Sequence, residues 1–153
     1  MKSLLLTAAL LCLTTPAFAD IQVTDVRAFE TSEGMKNGAV LLTLKNTGKE
    51  DDKIISASTL AADQTEIHEM LETDGVMKMR EVGAITIKAG EEVAFKPDGY
   101  HIMLLGLKEP LKAGNARPLT LKFLRASEIK TTVEVISRST KKETGHSAHH
   151  GHH

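Results

Sequence analysis

Short β-rich runs and turn signals alternate along the chain from residue 21 to residue 137. The runs contain Val, Ile, Leu and Thr, and Asn-Thr-Gly, Asp-Gly, Ala-Gly and Pro-Asp-Gly sequences separate them. No segment has a long 3.6-residue period, so we expect few helices. The dense turn spacing predicts an all-β fold, an antiparallel sandwich or barrel. The predicted strands are 21–29, 39–45, 53–57, 65–71, 76–82, 85–88, 92–95, 100–107, 119–124 and 130–137.

The first 19 residues have the pattern of a signal peptide. Lys2 precedes an apolar run at 4–13, and Ala17-Phe18-Ala19 forms a small-residue cleavage site before Asp20. The run is shorter than the roughly 20 residues of a membrane-spanning helix. Cys12 lies inside the run behind two leucines, which argues against a lipoprotein. We therefore predict a signal peptide at 1–19, an exported mature chain and no membrane insertion after cleavage.

Cleavage at this point changes both the charge and the chemistry of the chain. Loss of Lys2 leaves 18 of the 19 basic residues against 20 acidic ones, a net charge of −2. With only 3% aromatic residues, the chain offers neither a basic nor a stacking surface, and we expect no nucleic-acid partner. Loss of Cys12 removes the sole cysteine. Thiol nucleophiles, thiolate metal sites and blue-copper electron transfer are therefore excluded.

The composition changes again at the C-terminus. Residues 139–145 are polar and cannot join a core, so we predict a folded domain at 20–138 and a flexible tail at 139–153. A purification tag is an alternative explanation of the tail, although tags are usually unbroken runs of histidine. Imidazole suits Cu(II), so the His-rich tract predicts a Cu(II) site in the tail. Its residues are His146, His149, His150, His152 and His153.

The remaining histidines belong to a repeated spacing. Three pairs of His or Met residues are two positions apart: His68–Met70, Met77–Met79 and His101–Met103. Residues two apart in a strand face the same way, so each pair can address one point. Any single methionine is more often a flexible core filler. Three such pairs in one stretch favour a metal site.

The turn between the first two pairs decides which side chains meet. A four-residue loop at 72–75 would place His68 opposite Met79 across a hairpin, and we expect this register. A two-residue Asp74-Gly75 turn would instead pair Met70 with Met79. His101 and Met103 would complete a set of two nitrogen and two sulfur donors from a third strand.

Two imidazoles and two thioethers form a soft donor set, which selects Cu(I) over hard cations. Without a thiolate, such a site is weaker than a cysteine cage and able to release its metal. The neutral donors leave the ion's charge uncompensated, so we expect a shallow site. No Ser/His/Asp set or pair of carboxylates stands out, so we expect no enzymatic activity. The expected ligands are His68, Met79, His101 and Met103.

These four residues, with ten, 21 and one intervening positions, resemble the signature of the PCu(A)C periplasmic copper chaperones. The segments 67–70, 75–80 and 97–104 are also similar to that family, and the resemblance extends over 21–136. It implies a cupredoxin-like antiparallel Greek-key fold and a Cu(I) site of two histidines and two methionines. Met70 and Met77 lie outside the signature, and we expect them to line or shield the site.

The resemblance also implies a role. It indicates a periplasmic protein that delivers copper to the dinuclear copper centre in subunit II of cytochrome c oxidase, with a Sco-type thiol chaperone as a further partner. The alternative is an envelope scavenger or buffer that serves copper homeostasis or resistance.

Overall fold

Ten β-strands form the regular structure of residues 20–138, the part of the chain that the computed structural model describes. The predicted signal peptide at 1–19 and tail at 139–153 lie outside the described residues. Within 20–138 there is no helix long and apolar enough to cross a membrane. The strands are β1 Ile21–Phe29, β2 Asn37–Asn46, β3 Asp52–Ser58, β4 Ala62–Thr73, β5 Val76–Glu81, β6 Ile85–Ile87, β7 Glu92–Ala94, β8 Tyr100–Leu107, β9 Ala116–Phe123 and β10 Ile129–Ile136.

The strands follow the hydrogen-bonded order β5-β4-β8-β2-β1-β10-β9-β3-β6, and β7 also pairs with β2. Among the described strands, β1 and β10 run parallel and the other pairs are antiparallel. The predicted all-β fold is confirmed: the chain is a cupredoxin-like sandwich built from a mixed sheet. The parallel pair was not apparent from the turn pattern.

One aliphatic core holds the two halves of the strand order together. Val40 of β2 and Ile102 of β8 belong to the same buried cluster as Ile54 of β3 and Leu121 of β9. Strands from distant parts of the order therefore pack face to face. Full burial of such a side chain contributes roughly 1.5–3 kcal/mol, so these alternating positions hold the sandwich closed.

Successive side chains of β4 and β8 point to opposite faces of the sheet, one packed on the core and the other carrying the candidate ligands. Ile67 pairs with Ile102, and both are buried in the core. The next positions, His68 and His101, also pair with each other and lie on the opposite face of the same strands. Met103 follows on that face, opposite Glu66. Packing of the aliphatic face thus fixes where the polar and sulfur-containing side chains lie.

The β4–β5 hairpin differs from the sequence prediction. The predicted four-residue loop is wrong: Asp74 and Gly75 form a two-residue turn with φ of 53° and 75°, and Thr73 pairs with Val76. An Asp-Gly turn with both residues at positive φ matches the twist of a hairpin, which explains the tighter connection. His68 therefore lies opposite Glu81, and Met70 lies opposite Met79.

This turn gives a testable prediction about the hairpin. Gly75→Ala should lower the free energy of unfolding by about 1 kcal/mol, because a residue with a Cβ is strained at positive φ. No atom lies within 4 Å of the added Cβ, so steric overlap does not contribute. Chemical denaturation measures the change.

Gly83→Ala is the matched control, since its Cβ also meets no atom within 4 Å and the φ of Gly83 is not positive. This variant should be as stable as the parent or slightly more stable. Equal losses in the two variants would contradict the turn conformation.

Candidate metal centre

His101 is the most deeply placed of the predicted ligands. It is 4% exposed, and its Nδ1 lies 3.0 Å from the carbonyl oxygen of Gly99. Its Nε2 lies 3.2 Å from the Sδ of Met79. At metal–nitrogen and metal–sulfur distances of about 2.0–2.3 Å, as found with zinc, two donors at this separation can share one ion.

His68 stands beside His101 across the β4–β8 pair. The ring centroids are 5.9 Å apart, with the planes tilted by 58°. The Nε2 of His68 lies 2.6 Å from Oε2 of Glu66. Its Nδ1 is buried and has no hydrogen-bond partner among the described residues. A buried polar atom without a partner carries a desolvation cost, and such an atom in a site suggests a ligand.

Met103 faces an open cavity of about 420 Å³ that His101 also lines. Ala39 of β2 lies directly opposite Met103, and its small side chain leaves room beside the methionine. The remaining wall is largely apolar, with one cation, Arg138, at the end of the described chain. The cavity is lined by Phe29, Ala39, Leu41, Pro97, His101, Met103 and Arg138.

Three methionines share the same face but differ in their surroundings. Met70 pairs with Met79 and is partly buried, so it lies beside a predicted ligand. Met79 is 49% exposed although its sulfur touches His101. Met77 pairs with Glu72 near the turn and is 47% exposed, farther along β5 from the histidines. The hairpin therefore places Met79 rather than Met77 against the imidazoles.

Burial also sets the protonation of the site. Burial lowers the pKa of His101 below its usual value, and the electrostatic effect of the neighbouring His68 lowers that pKa further. The hydrogen bond to the Gly99 carbonyl opposes these effects without cancelling them. His101 is therefore neutral at pH 7, with one nitrogen lone pair free to bind a metal.

The donor types restrict what this site can hold. Within residues 20–138, no three His, Cys, Asp or Glu side chains come together closely enough to hold a metal ion. A metal bound here would therefore need thioether sulfur in addition to the two imidazoles. Such a soft set suits Cu(I) far better than Mg²⁺ or Ca²⁺.

Two features of the site were not predicted from the sequence. Glu66 contacts His68, and the apolar cavity wall includes Phe29 and Leu41. The i, i+2 rule that paired His68 with Met70 applies equally to Glu66, two residues earlier, and would have found it. The cavity wall comes from strands distant in sequence, which the His/Met spacing does not reveal.

A family model identifies the class of protein to which this fold and site belong. The model described as "LpqE-like: Putative lipoprotein LpqE-like" matches residues 21–135. The chain belongs to this family, which is the family of PCuAC domains, and the resemblance seen in the sequence is confirmed.

Particular relatives support the same assignment. The chain is 34% identical over 110 residues to a protein of Leifsonia xyli subsp. xyli named "Putative lipoprotein Lxx21020". That match covers 71% of this chain and 66% of the relative, so the chain spans just under two thirds of the relative's length.

Solved structures share the fold. The copper-bound PCuAC domain from PmoF2 has a TM-score of 0.67 at 19% identity, covering 79% of this chain and 96% of that domain. The solution structure of CuI-DR1885 from Deinococcus radiodurans has a TM-score of 0.60 at 27% identity, covering 83% of each chain.

The predicted tail ligands His146, His149, His150, His152 and His153 lie outside the described residues.

Proposed function

We propose that this protein is a periplasmic copper metallochaperone and that His68, Met79, His101 and Met103 hold one Cu(I). The observation that carries the proposal is the 3.2 Å separation of His101 Nε2 and Met79 Sδ, beside His68 and on the face that carries Met103. Two nitrogen and two sulfur donors thus lie on one face of the sheet.

The relatives support copper as the cargo. The solved structure from Deinococcus radiodurans contains Cu(I), and its 27% identity extends over 83% of this chain. The PmoF2 domain contains copper as well. Both are proteins of the same fold, and the donor set on β4, β5 and β8 is chemically suited to the same ion.

The exposure of the site is consistent with delivery. All four donors are neutral, and one of them, Met79, is half-exposed. Thiolate ligands bind Cu(I) more strongly than thioethers, so copper can pass from this site to a cysteine-containing acceptor. We propose that the acceptor is the dinuclear copper centre in subunit II of cytochrome c oxidase, with a Sco-type thiol chaperone as a further partner. The protein itself catalyses no reaction.

A second candidate function is an envelope scavenger or buffer of copper, favoured by the five tail histidines. Mixing the Cu(I)-loaded protein with a copper-free subunit II fragment separates the two. Stoichiometric transfer supports delivery, and retention of copper by this protein supports buffering.

The signal-peptide pattern of residues 1–19 supports a periplasmic location. We propose that they direct export and are removed before Asp20, which leaves a periplasmic protein without cysteine. A lipoprotein, as the family description and the name of the Leifsonia protein suggest, would instead have a mature chain that begins at Cys12, the sole cysteine. Mass spectrometry of the exported protein distinguishes these two N-termini.

The core site gives a prediction with a matched control. Met79→Leu should weaken Cu(I) binding by more than about 100-fold, beyond the 10–100-fold effect typical of losing a group that only supports a ligand. Met77→Leu removes a similarly exposed thioether from the same face of the same strand, and it should change the affinity little. Both substitutions nearly conserve volume, so the fold should persist. Anaerobic competition with a Cu(I) chelator, using the chain truncated after Arg138, measures the affinities.

Two further variants complete this test. His101→Ala and Met103→Ala should weaken Cu(I) binding severely without unfolding the chain. Unchanged affinity in Met79→Leu, or a larger loss in Met77→Leu, would mean that the wrong methionine has been assigned.

The tail gives a separate prediction. We propose that His146, His149, His150, His152 and His153 form a Cu(II) site, because imidazole suits that ion. Neutral imidazole is the ligand, so binding should weaken as the pH falls through about 6.5. Isothermal titration of Cu(II) into the full chain and into a chain ending at Arg138 provides the comparison. Equal Cu(II) binding by the two chains near neutral pH would exclude the tail site.

A further inference from the structure

Glu66 lies beside the candidate metal centre but is not one of its four proposed donors. It lies on the same face of β4 as His68 and pairs across the sheet with Met103. Its Oε2 is 2.6 Å from Nε2 of His68, and its Oε1 accepts a hydrogen bond of 2.8 Å from the side-chain amide of Gln64. The side chains of His68 and Glu66 are only 12% and 18% exposed.

This contact determines which nitrogen of His68 carries its proton. A carboxylate oxygen only accepts hydrogen bonds, so the short contact requires a hydrogen on Nε2. In a neutral imidazole the other nitrogen, Nδ1, then holds the lone pair. Nδ1 is the same atom that is buried without a hydrogen-bond partner among the described residues.

His101 has the opposite arrangement. The carbonyl of Gly99 accepts from Nδ1 at 3.0 Å, so Nδ1 carries the hydrogen and Nε2 holds the lone pair. Nε2 is the atom 3.2 Å from the sulfur of Met79. Two neighbouring histidines are thus fixed in different tautomers by two different acceptors.

We propose that Glu66 is a positioning residue for copper, one that fixes His68 in the tautomer offering Nδ1 to the ion while His101 offers Nε2. The copper part of this inference rests on the proposed function. A carboxylate that accepts the remote N–H of a ligating histidine orients the ring and raises its basicity. Glu66 also places a negative charge beside a donor set that is otherwise neutral. Among the described residues, Glu66 contacts His68 rather than a lysine or arginine.

Glu69 is a control for Glu66 on the same strand. Its side chain is equally exposed, at 18%, but it lies on the opposite face and binds Arg80 at 2.9 Å. Removing Glu69 thus deletes a comparable carboxylate from β4 without touching either histidine. Any effect specific to Glu66 must then come from its contact with His68 or its charge near the site.

The first measurement needs no copper. Long-range proton–nitrogen NMR of the copper-free full chain at neutral pH reports the ring tautomers, with the two signals assigned through His68→Gln and His101→Gln. We expect Nε2–H for His68 and Nδ1–H for His101. Glu66→Ala should shift the His68 population away from Nε2–H, and Glu69→Ala should leave it unchanged. An Nδ1–H tautomer of His68 in the parent chain, or no shift in Glu66→Ala, would overturn the assignment.

The second measurement uses Cu(I) affinity. Glu66→Ala should bind about 10–100-fold more weakly than the parent, whereas Glu69→Ala should match the parent. Glu66→Gln keeps the volume and an acceptor oxygen but loses the charge, and it decides the outcome if the alanine variant fails to fold. We expect it to bind about tenfold more weakly. If the parent binds Cu(I) and Glu66→Gln or a folded Glu66→Ala binds equally well, Glu66 does not act on copper. A parent chain that binds no Cu(I) would refute the proposed function, while the tautomers would still test the assignment of Glu66.

Discussion

The direct pairing of His68 with His101 across β4 and β8 is the constraint on which the candidate centre depends. It follows from the neighbouring pair, Ile67 and Ile102, which the aliphatic core holds in place. A shift of β4 by one residue against β8 would turn His68 into the core and Ile67 outward. The cost of burying an imidazole among aliphatic side chains, and of exposing an isoleucine, therefore protects the geometry of the site. Stability and function are linked here through the two faces of the same strands.

The site combines rigid and mobile donors. His101 is buried, bonded to a backbone carbonyl and kept neutral by its surroundings. Met79 reaches the same ring from an outer strand and remains half-exposed. The imidazoles thus define a fixed position, and a flexible thioether covers it from the solvent side. This division suits a protein that must hold a soft ion and also release it.

Sequence patterns predicted some parts of this arrangement well and others poorly. The turn residues and β-rich runs gave the all-β fold, because local conformation determines where strands end. The i, i+2 rule correctly placed His101 and Met103 on one face. The β4–β5 register was predicted wrongly, although the Asp-Gly turn favoured the two-residue connection seen here. The parallel β1–β10 pair and the cavity wall at Phe29 and Leu41 arise from long-range packing, which no local pattern encodes.

The place of β5 in the sheet has a kinetic consequence. β5 is the last strand in the order and, within the described part of the chain, pairs only with β4, whereas β8 lies between β4 and β2. An outer hairpin strand opens locally at a lower free energy than a strand held on both sides. If these strands hold Cu(I) as proposed, the bond to Met79 would be the first to break, and the bonds to the histidines would persist longer. An incoming thiol would replace that sulfur first, so copper would leave through a shared intermediate rather than as a free ion.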